Sequence, residues 1–180
     1  MILKNVLDML DPEHSKRVSM LSMDLARALK LSEREIELIG YGALYHDVGK
    51  ISIPTSILES TSKLNEEDFK LMQRHVDYGM SILSVYTGEE MKAAQTIVAS
   101  HHERWDGLGY PHGLMGEEIP LFGRIVSICD VFDALSSERP YKAAWHLGQV
   151  LDYVKGQHGK AFDPRLTDTF LEMVYEGAVT

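Results

Sequence analysis

The chain has 180 residues and a formal net charge of −9, and 44% of its residues are hydrophobic. These values suit one globular domain with a real core, and they argue against a protein that binds nucleic acid polymers, because an acidic chain offers little attraction to phosphate backbones. Its single cysteine, Cys129, excludes both a disulfide framework and a thiolate zinc cluster within the chain, and its apolar surroundings predict a core position.

The first ten residues do not resemble a targeting segment. They contain one lysine, Lys4, and Asp8 interrupts the apolar residues. This pattern predicts neither a signal peptide nor a membrane span. We therefore expect a cytoplasmic protein with no membrane partner.

Helical signals begin at Asp11 and Pro12, because Asp is a favoured N-cap and Pro fits the first helical position. The apolar residues that follow at steps of three and four are Val18, Leu21, Leu25 and Leu29. Ser32 and Glu35 have the spacing of a capping box and predict the start of a second helix. Asn65 predicts the start of a third, extending past Gly79.

The remaining chain is also helical in pattern. Further helices are predicted over residues 89–100, 122–136, 147–155 and 165–175. The one clear loop covers residues 107–120, which are rich in Gly and Pro. Strand signals are weak, so the fold class predicted for residues 1–180 is a single all-α domain, a helical bundle.

Five of the eight histidines lie at helical spacing from apolar residues and so point toward faces that helices bury. They are His14, His46, His75, His101 and His102. One such histidine is more often a hydrogen-bonded core residue than a metal ligand. Five of them, with Asp47 beside His46, are costly to bury unless they are paired or coordinate metal.

A second carboxylate comes from the 122–136 helix. Spacing alone leaves Asp130 and Asp133 nearly even as candidates. Five His and two Asp exceed the needs of one ion, which predicts two divalent ions bridged by a shared carboxylate. The nitrogen and oxygen ligands suit iron or manganese, and zinc also fits.

Two motifs give the sequence a family resemblance. Residues 46–50 read HDVGK and residues 101–111 read HHERWDGLGYP. The series continues with EIPL at 118–121, DVFDAL at 130–135 and RPYK at 139–142. Together these motifs resemble the HD-GYP phosphodiesterases of the HD phosphohydrolase superfamily, over about residues 12–170. An HD pair alone is weak, whereas the whole ordered series is specific.

The resemblance implies an all-α domain with a metal site inside the bundle, and it favours Asp130 over Asp133 as a ligand. One metal is expected on His14, His46, Asp47 and Asp130. The other is expected on Asp47, His75, His101 and His102. Some family members add a third metal through a glutamate at the position of Leu10, so here we expect two ions, or three only if Asp8 or water substitutes.

The resemblance also implies hydrolysis of cyclic di-GMP, or of a related cyclic dinucleotide, by hydroxide that two metals activate. Asp47 and Lys50 are the expected catalytic residues. The residues expected to contact substrate are Lys50, Tyr110, Arg139 and Lys142. The residues expected to orient the loop and the histidines are Glu103, Arg104 and Asp106. On spacing alone, Lys50 fits a solvated helix end equally well, Tyr110 fits loop packing, and Arg139 or Lys142 fits a surface ion pair.

Two other functions fit the sequence. One is an HD phosphohydrolase acting on another nucleotide, against which the Gly-Tyr-Pro loop argues. The other is a non-catalytic module that senses the dinucleotide or docks onto a partner, against which the complete set of ligand positions argues. The sequence does not decide whether the product is pGpG or GMP, or whether the substrate is cyclic GMP-AMP. It also leaves open whether a regulatory or sensor protein controls the domain.

Overall fold

The computed structural model describes residues 10–138 and 143–177. Across this part of the chain the regular elements are helices, and no strand forms. The helices are α1 Pro12–Ala28, α2 Glu33–Ala43, α3 Thr55–Leu58, α4 Glu66–Gln73, α5 His75–Leu83, α6 Glu89–Ser100, α7 Leu121–Ser136, α8 Leu147–Gly156 and α9 Pro164–Tyr175. Short 3₁₀ helices cover Val48–Ser52 and Gly116–Glu118. The predicted all-α fold class is confirmed.

Polar caps set the starts of several helices, as the sequence predicted. The Asp11 carboxylate accepts a hydrogen bond from the His14 amide at 3.1 Å and so opens α1. The amide of Ser32 donates to the Glu35 carboxylate at 2.9 Å, and the amide of Glu35 donates to the Ser32 hydroxyl at 3.3 Å. Each bond pairs a backbone group that the first helical turn leaves without a partner.

The main core lies where α1, α2, α7, α8 and α9 meet. Its apolar side chains are withdrawn almost completely from solvent, as at Val18, Leu25, Ile39, Ile128 and Phe170. Cys129 is also fully buried there, and burial raises the pKa of its thiol. The predicted core position of this cysteine is confirmed.

A second apolar cluster holds the Val48–Ser52 turn against α5 and α6. Val48, Leu83 and Val98 are fully buried there. Gly49 makes the approach of the turn to α5 possible, because a β-carbon at this position would collide with the His75 carbonyl group and the Gly79 amide nitrogen. The close contact brings the HDVGK segment beside the start of α5.

The sequence predicted one helix from Asn65 past Gly79, and this prediction was wrong, because the structure divides the segment at Arg74 into α4 and α5. The Arg74 amide donates to the Leu71 carbonyl at 3.1 Å, which closes a tight turn. In that turn His75 Nδ1 bonds to the Met72 carbonyl at 2.8 Å. The short helix α3, after Pro54, was not predicted.

None of the described helices is both long and apolar enough to cross a lipid bilayer.

Candidate metal centre

Helix ends and turns carry most of the predicted ligands. His14 lies in the first turn of α1, and His46 follows the last residue of α2 by three positions. His75 is the first residue of α5, and His101 follows directly after α6. The backbone changes direction at helix ends. Side chains from α1, α5 and the segments after α2 and α6 can therefore meet at one place in the bundle.

The first group of ligands comprises His14, His46 and Asp130. One ligand atom from each residue lies within 4.8 Å of those of the other two. His14 Nε2 is 3.1 Å from Asp130 Oδ1, and His46 Nε2 is 3.7 Å from the same oxygen. The two imidazole rings meet edge to face with centroids 5.3 Å apart. This arrangement can hold one ion.

The second group comprises Asp47, His75, His101 and His102. One ligand atom from each again lies within 4.8 Å of the others. His75 Nε2 is 3.6 Å from Asp47 Oδ1, and the His101 and His102 rings lie with centroids 3.9 Å apart. The three imidazoles and one carboxylate can hold another ion.

Asp47 connects the two groups. Its Oδ1 faces His75, while its Oδ2 lies 3.3 Å from His46 Nε2 and 4.0 Å from His14 Nε2. The two oxygens of one carboxylate therefore face different groups of histidines. This is the geometry that a carboxylate needs in order to bridge two cations.

The hydrogen bonds of the histidines fit metal ligands. Three of the rings bond through Nδ1 to backbone carbonyls at 2.7 to 3.1 Å. His46 bonds to Ala43, His75 bonds to Met72, and His101 bonds to both Ile97 and Val98. Because a carbonyl only accepts, Nδ1 carries the proton, and the lone pair is left on Nε2. A metal-binding histidine commonly has this second hydrogen bond on the nitrogen that does not bind the metal.

The other side of these rings lacks partners. Buried polar atoms with no hydrogen-bond partner among the described residues include Nε2 of His14, His46, His75 and His101, and Oδ1 of Asp47. Buried polar atoms are normally satisfied, so a cluster of unpaired ones needs an explanation. Bound divalent cations supply one, and the residues present fit them.

The charges of the site fit the same explanation. Burial alone would raise the pKa of Asp47 and Asp130. Lys50 and His46 nevertheless hold the pKa of Asp47 well below its ordinary value. His14 and His46 do the same for the pKa of Asp130. Burial lowers the pKa of His102 to about 3. Two anionic carboxylates among imidazoles that can stay neutral are suited to bind a cation.

His46 shows the need for positive charge most directly. Burial would lower its pKa, but Asp47 and Asp130 outweigh burial and raise the pKa to about 10. The two carboxylates therefore favour positive charge at the place where their oxygens face the His46 ring.

Lys50 lies at the entrance to the site. Its Nζ donates to Asp47 Oδ2 at 2.5 Å, and its side chain is partly exposed. A cavity of about 350 Å³ opens here. Its walls include Leu10, Asp11, His14, Asp47, Lys50, Leu58 and Met72. The lysine is therefore both a partner of Asp47 and a cation that a molecule entering the cavity would meet.

Tyr110 packs against the second group. Its ring stacks on the His102 imidazole with centroids 4.7 Å apart and planes at 25°, and its amide donates to the His102 carbonyl at 3.2 Å. Gly109 allows this approach, because a β-carbon there would collide with the backbone of Glu103 and Arg104. The stacking shows that Tyr110 has a packing role.

Glu103, Arg104 and Asp106 hold the loop over residues 107–120. The buried Glu103 carboxylate accepts from the amides of His112 and Leu114 at 2.7 and 3.0 Å. Arg104 binds Asp106 through two hydrogen bonds of 3.0 and 2.7 Å. Asp106 in turn accepts from the Leu108 amide at 3.1 Å, so Glu103 and Asp106 both contact the loop backbone.

Asp133, the carboxylate that spacing left nearly even with Asp130, contacts the His14 ring on the nitrogen opposite the one that faces Asp130. Its Oδ2 accepts from His14 Nδ1 at 2.6 Å, and Arg17 Nε donates to its Oδ1 at 2.6 Å. Sequence reasoning did not find Arg17. The signal was its position three residues after His14, which places both side chains on one face of α1.

Two predicted substrate contacts, Arg139 and Lys142, lie outside the described residues, as does Asp8.

Most of the chain resembles known proteins. The family model described as HD domain matches residues 1–166. The chain is 46% identical over 156 residues to the cyclic di-GMP phosphodiesterase response regulator RpfG of Xanthomonas campestris, covering 87% of this chain and 41% of that protein. It is 43% identical over 159 residues to 3′3′-cGAMP-specific phosphodiesterase 2 of Vibrio cholerae, covering 88% of this chain and 30% of that protein. The chain thus spans less than half the length of these relatives.

Solved structures agree on the fold. The HDG"Y"P protein Bd1817 of Bdellovibrio bacteriovorus superposes with a TM-score of 0.74 at 20% identity, covering 93% of this chain and 53% of that one. The cyclic GMP-AMP phosphodiesterase V-cGAP3 of V. cholerae gives a TM-score of 0.71 at 25% identity, covering 98% of this chain and 48% of that one. The resemblance to HD-GYP phosphodiesterases that the motifs indicated is confirmed by these relatives. The chain belongs to the HD domain family.

Proposed function

We propose that this chain is a metal-dependent phosphodiesterase domain that hydrolyses cyclic di-GMP, or a related cyclic dinucleotide, to pGpG, GMP or both. One observation carries the proposal: two groups of mostly buried ligands share the Asp47 carboxylate, whose two oxygens face different groups. A buried pair of linked cation sites beside an open cavity suits attack on a phosphodiester. The relatives named as cyclic dinucleotide phosphodiesterases support the substrate class.

In this proposal one ion lies on His14, His46, Asp47 and Asp130, and the other on Asp47, His75, His101 and His102. The ligand set suits iron or manganese, and zinc also fits. When bound, two such cations activate water as a nucleophile and offset charge on the phosphate oxygens. The Asp47 carboxylate would hold both ions, one on each of its oxygens.

The residues of the chain prepare the site before substrate arrives. Backbone carbonyls fix the rings of His46, His75 and His101, so their Nε2 atoms need little reorientation. Lys50 places an ammonium group at the cavity entrance, beside Asp47. We assign Lys50 to a non-bridging oxygen of the scissile phosphate or to the attacking nucleophile, and Tyr110 to a phosphate or base next to the second ion.

An anionic dinucleotide must be attracted locally, because the chain carries a net charge of −9. The proposed attraction comes from the metal ions, from Lys50, and from Arg139 and Lys142 in the RPYK motif. A second substrate, 3′3′-cGAMP, has its own support, since a relative 43% identical to the chain is named for it. Both substrates offer the same 3′–5′ phosphodiester to the metal centre.

We further propose that residues 1–180 form one catalytic domain that acts in the cytoplasm. The curated relatives are more than twice as long as the segment they share with the chain. A regulatory or sensor element, on the same chain or on a partner protein, fits this difference in length.

The test is turnover of cyclic di-GMP and 3′3′-cGAMP by protein reconstituted anaerobically with Fe(II) or Mn(II), with products separated by chromatography. Metal-dependent release of pGpG or GMP that is absent from Asp47→Ala supports the phosphodiesterase and identifies its product. Metal uptake and dinucleotide binding without turnover would favour the sensor. Hydrolysis of a different nucleotide alone would favour another HD phosphohydrolase.

A further inference from the structure

His14 differs from three other histidines of the site in how its second ring nitrogen is held. His46, His75 and His101 each bond through Nδ1 to a carbonyl three or four residues earlier in the chain. His14 bonds through Nδ1 to a carboxylate oxygen of Asp133, on helix α7, at 2.6 Å. The partner of His14 is thus a charged side chain 119 residues away.

The position of His14 in α1 explains the difference. The residue three positions before it is Asp11, which lies outside the helix as its cap. The Asp11 carboxylate accepts from the His14 amide, and the Asp11 carbonyl accepts from the Ser15 amide at 3.1 Å. These groups serve the helix start, so the ring of His14 needs a partner from another element.

We infer that Asp133 is a positioning residue of the metal centre: it holds the proton of His14 on Nδ1 and turns Nε2 toward Asp130 and the first ion. The inference rests on the proposed metal site. A carboxylate is acceptor-only when ionised, so His14 must donate through Nδ1 and its lone pair must lie on Nε2. The carboxylate also makes the imidazole a stronger ligand than a neutral acceptor would.

Asp133 is itself held in place. Arg17 donates from Nε to Oδ1 at 2.6 Å and from Nη2 to Oδ2 at 3.0 Å, and the Ser137 hydroxyl donates to Oδ1 at 3.2 Å. The paired contacts from Arg17 fix the plane of the carboxylate as well as its position. Both oxygens of Asp133 are occupied by these partners and His14, which supports Asp130 rather than Asp133 as the ligand.

The test compares Asp133→Asn with Asp152→Asn, which alters an exposed aspartate on α8. Mn(II) is titrated into each variant in a His75→Ala background, so that the His14 group is the one measured. We expect Asp133→Asn to weaken Mn(II) binding by about 10- to 100-fold, the usual effect of removing such a partner. Asp152→Asn should bind as the background does, and unchanged binding by Asp133→Asn would overturn the inference.

A second readout is independent of metal. The ring nitrogens of His14 are observed by ¹⁵N NMR in the metal-free protein, at a pH where the imidazole is neutral. The wild-type chain should carry the proton on Nδ1, whereas Asp133→Asn should shift it toward Nε2, because an amide can donate to Nδ1. An unchanged proton position contradicts the inference, even if the wild-type chain proves to bind no pair of metals.

If Asp133→Asn fails to fold, Arg17→Gln replaces it, since this change lies on a half-exposed side chain and leaves Asp133 in place. In the same His75→Ala background we expect a smaller loss of Mn(II) affinity than for Asp133→Asn. Unchanged Mn(II) binding by Arg17→Gln would overturn the inference.

Discussion

Lys50 donates a hydrogen bond to the Oδ2 atom of Asp47 at the entrance to the candidate metal centre. The bond joins the two residues of the HDVGK segment that we assign to catalysis. Their surroundings nevertheless give them different roles. Asp47 is buried and faces both groups of histidines, whereas Lys50 is partly exposed to the cavity. The first residue should therefore control metal content and the second should control rate.

Replacing Asp47 tests the bridge. Asp47→Asn keeps the shape of the side chain but removes its charge and one acceptor oxygen. We expect loss of at least one metal ion per chain, from two in the wild type, and nearly complete loss of turnover. Elemental analysis and the hydrolysis assay measure these effects, with the exposed Asp77→Asn as control. Two retained ions would exclude the bridging role.

Replacing Lys50 tests its role beside the substrate. Lys50→Met keeps the length and apolar stem of the side chain but removes the ammonium group. We expect both metals to stay bound while the rate of hydrolysis falls by about 10²- to 10³-fold, as when a charge-stabilising donor is removed. Lys63→Met, at an exposed position, is the control. Loss of metal would instead make Lys50 a structural partner of Asp47.

Gly49 should be intolerant of a side chain. A β-carbon there meets the His75 carbonyl group and the Gly79 amide nitrogen, both of which belong to the backbone of α5. We expect Gly49→Ala to destabilise the fold by about 1–3 kcal/mol and to weaken metal binding at the His75 group. Urea denaturation and Mn(II) titration check both effects.

The matched control is Gly148→Ala in α8. A β-carbon at Gly148 has no neighbour within 4 Å among the described residues. Alanine there should stabilise the protein by up to about 1 kcal/mol, because glycine is unfavourable within helices. Equal effects of the two substitutions would mean that the contact between Gly49 and α5 is unimportant.

Glu103 should govern the order of the loop over residues 107–120. Its buried carboxylate accepts two backbone amides, and Glu103→Gln would turn a donor group toward one of them. We expect a loss of about 1–3 kcal/mol in stability and faster hydrogen exchange at His112 and Leu114. Glu117→Gln, on the same loop and exposed, is the control. Unchanged exchange at these two amides would contradict the role.

Local sequence signals predicted the helices well, because caps and apolar spacing act within a few residues. The start of α1 at Asp11 and the capping box of Ser32 and Glu35 are examples. The break at Arg74 was missed, because apolar periodicity does not reveal the tight turn there, in which the Arg74 amide donates to the Leu71 carbonyl and the His75 ring bonds to the Met72 carbonyl.

For the site, spacing identified which histidines point inward but not what their second nitrogens contact. Asp130 and Asp133 are one turn apart on α7 and look alike in sequence. Only the three-dimensional packing of α1 against α7 separates them, since it places Arg17 and the Nδ1 of His14 against Asp133 and the Nε2 of His14 near Asp130. Contacts over more than a hundred residues have no local signature.

The two groups of ligands draw on residues from position 14 to position 130, carried by α1, α5, α7 and the segments after α2 and α6. Ions bound there would act as cross-links between distant parts of the chain and would favour the folded state over any state in which those parts separate. Metal supply would then set how long the protein survives heat and proteases, as well as how fast it works.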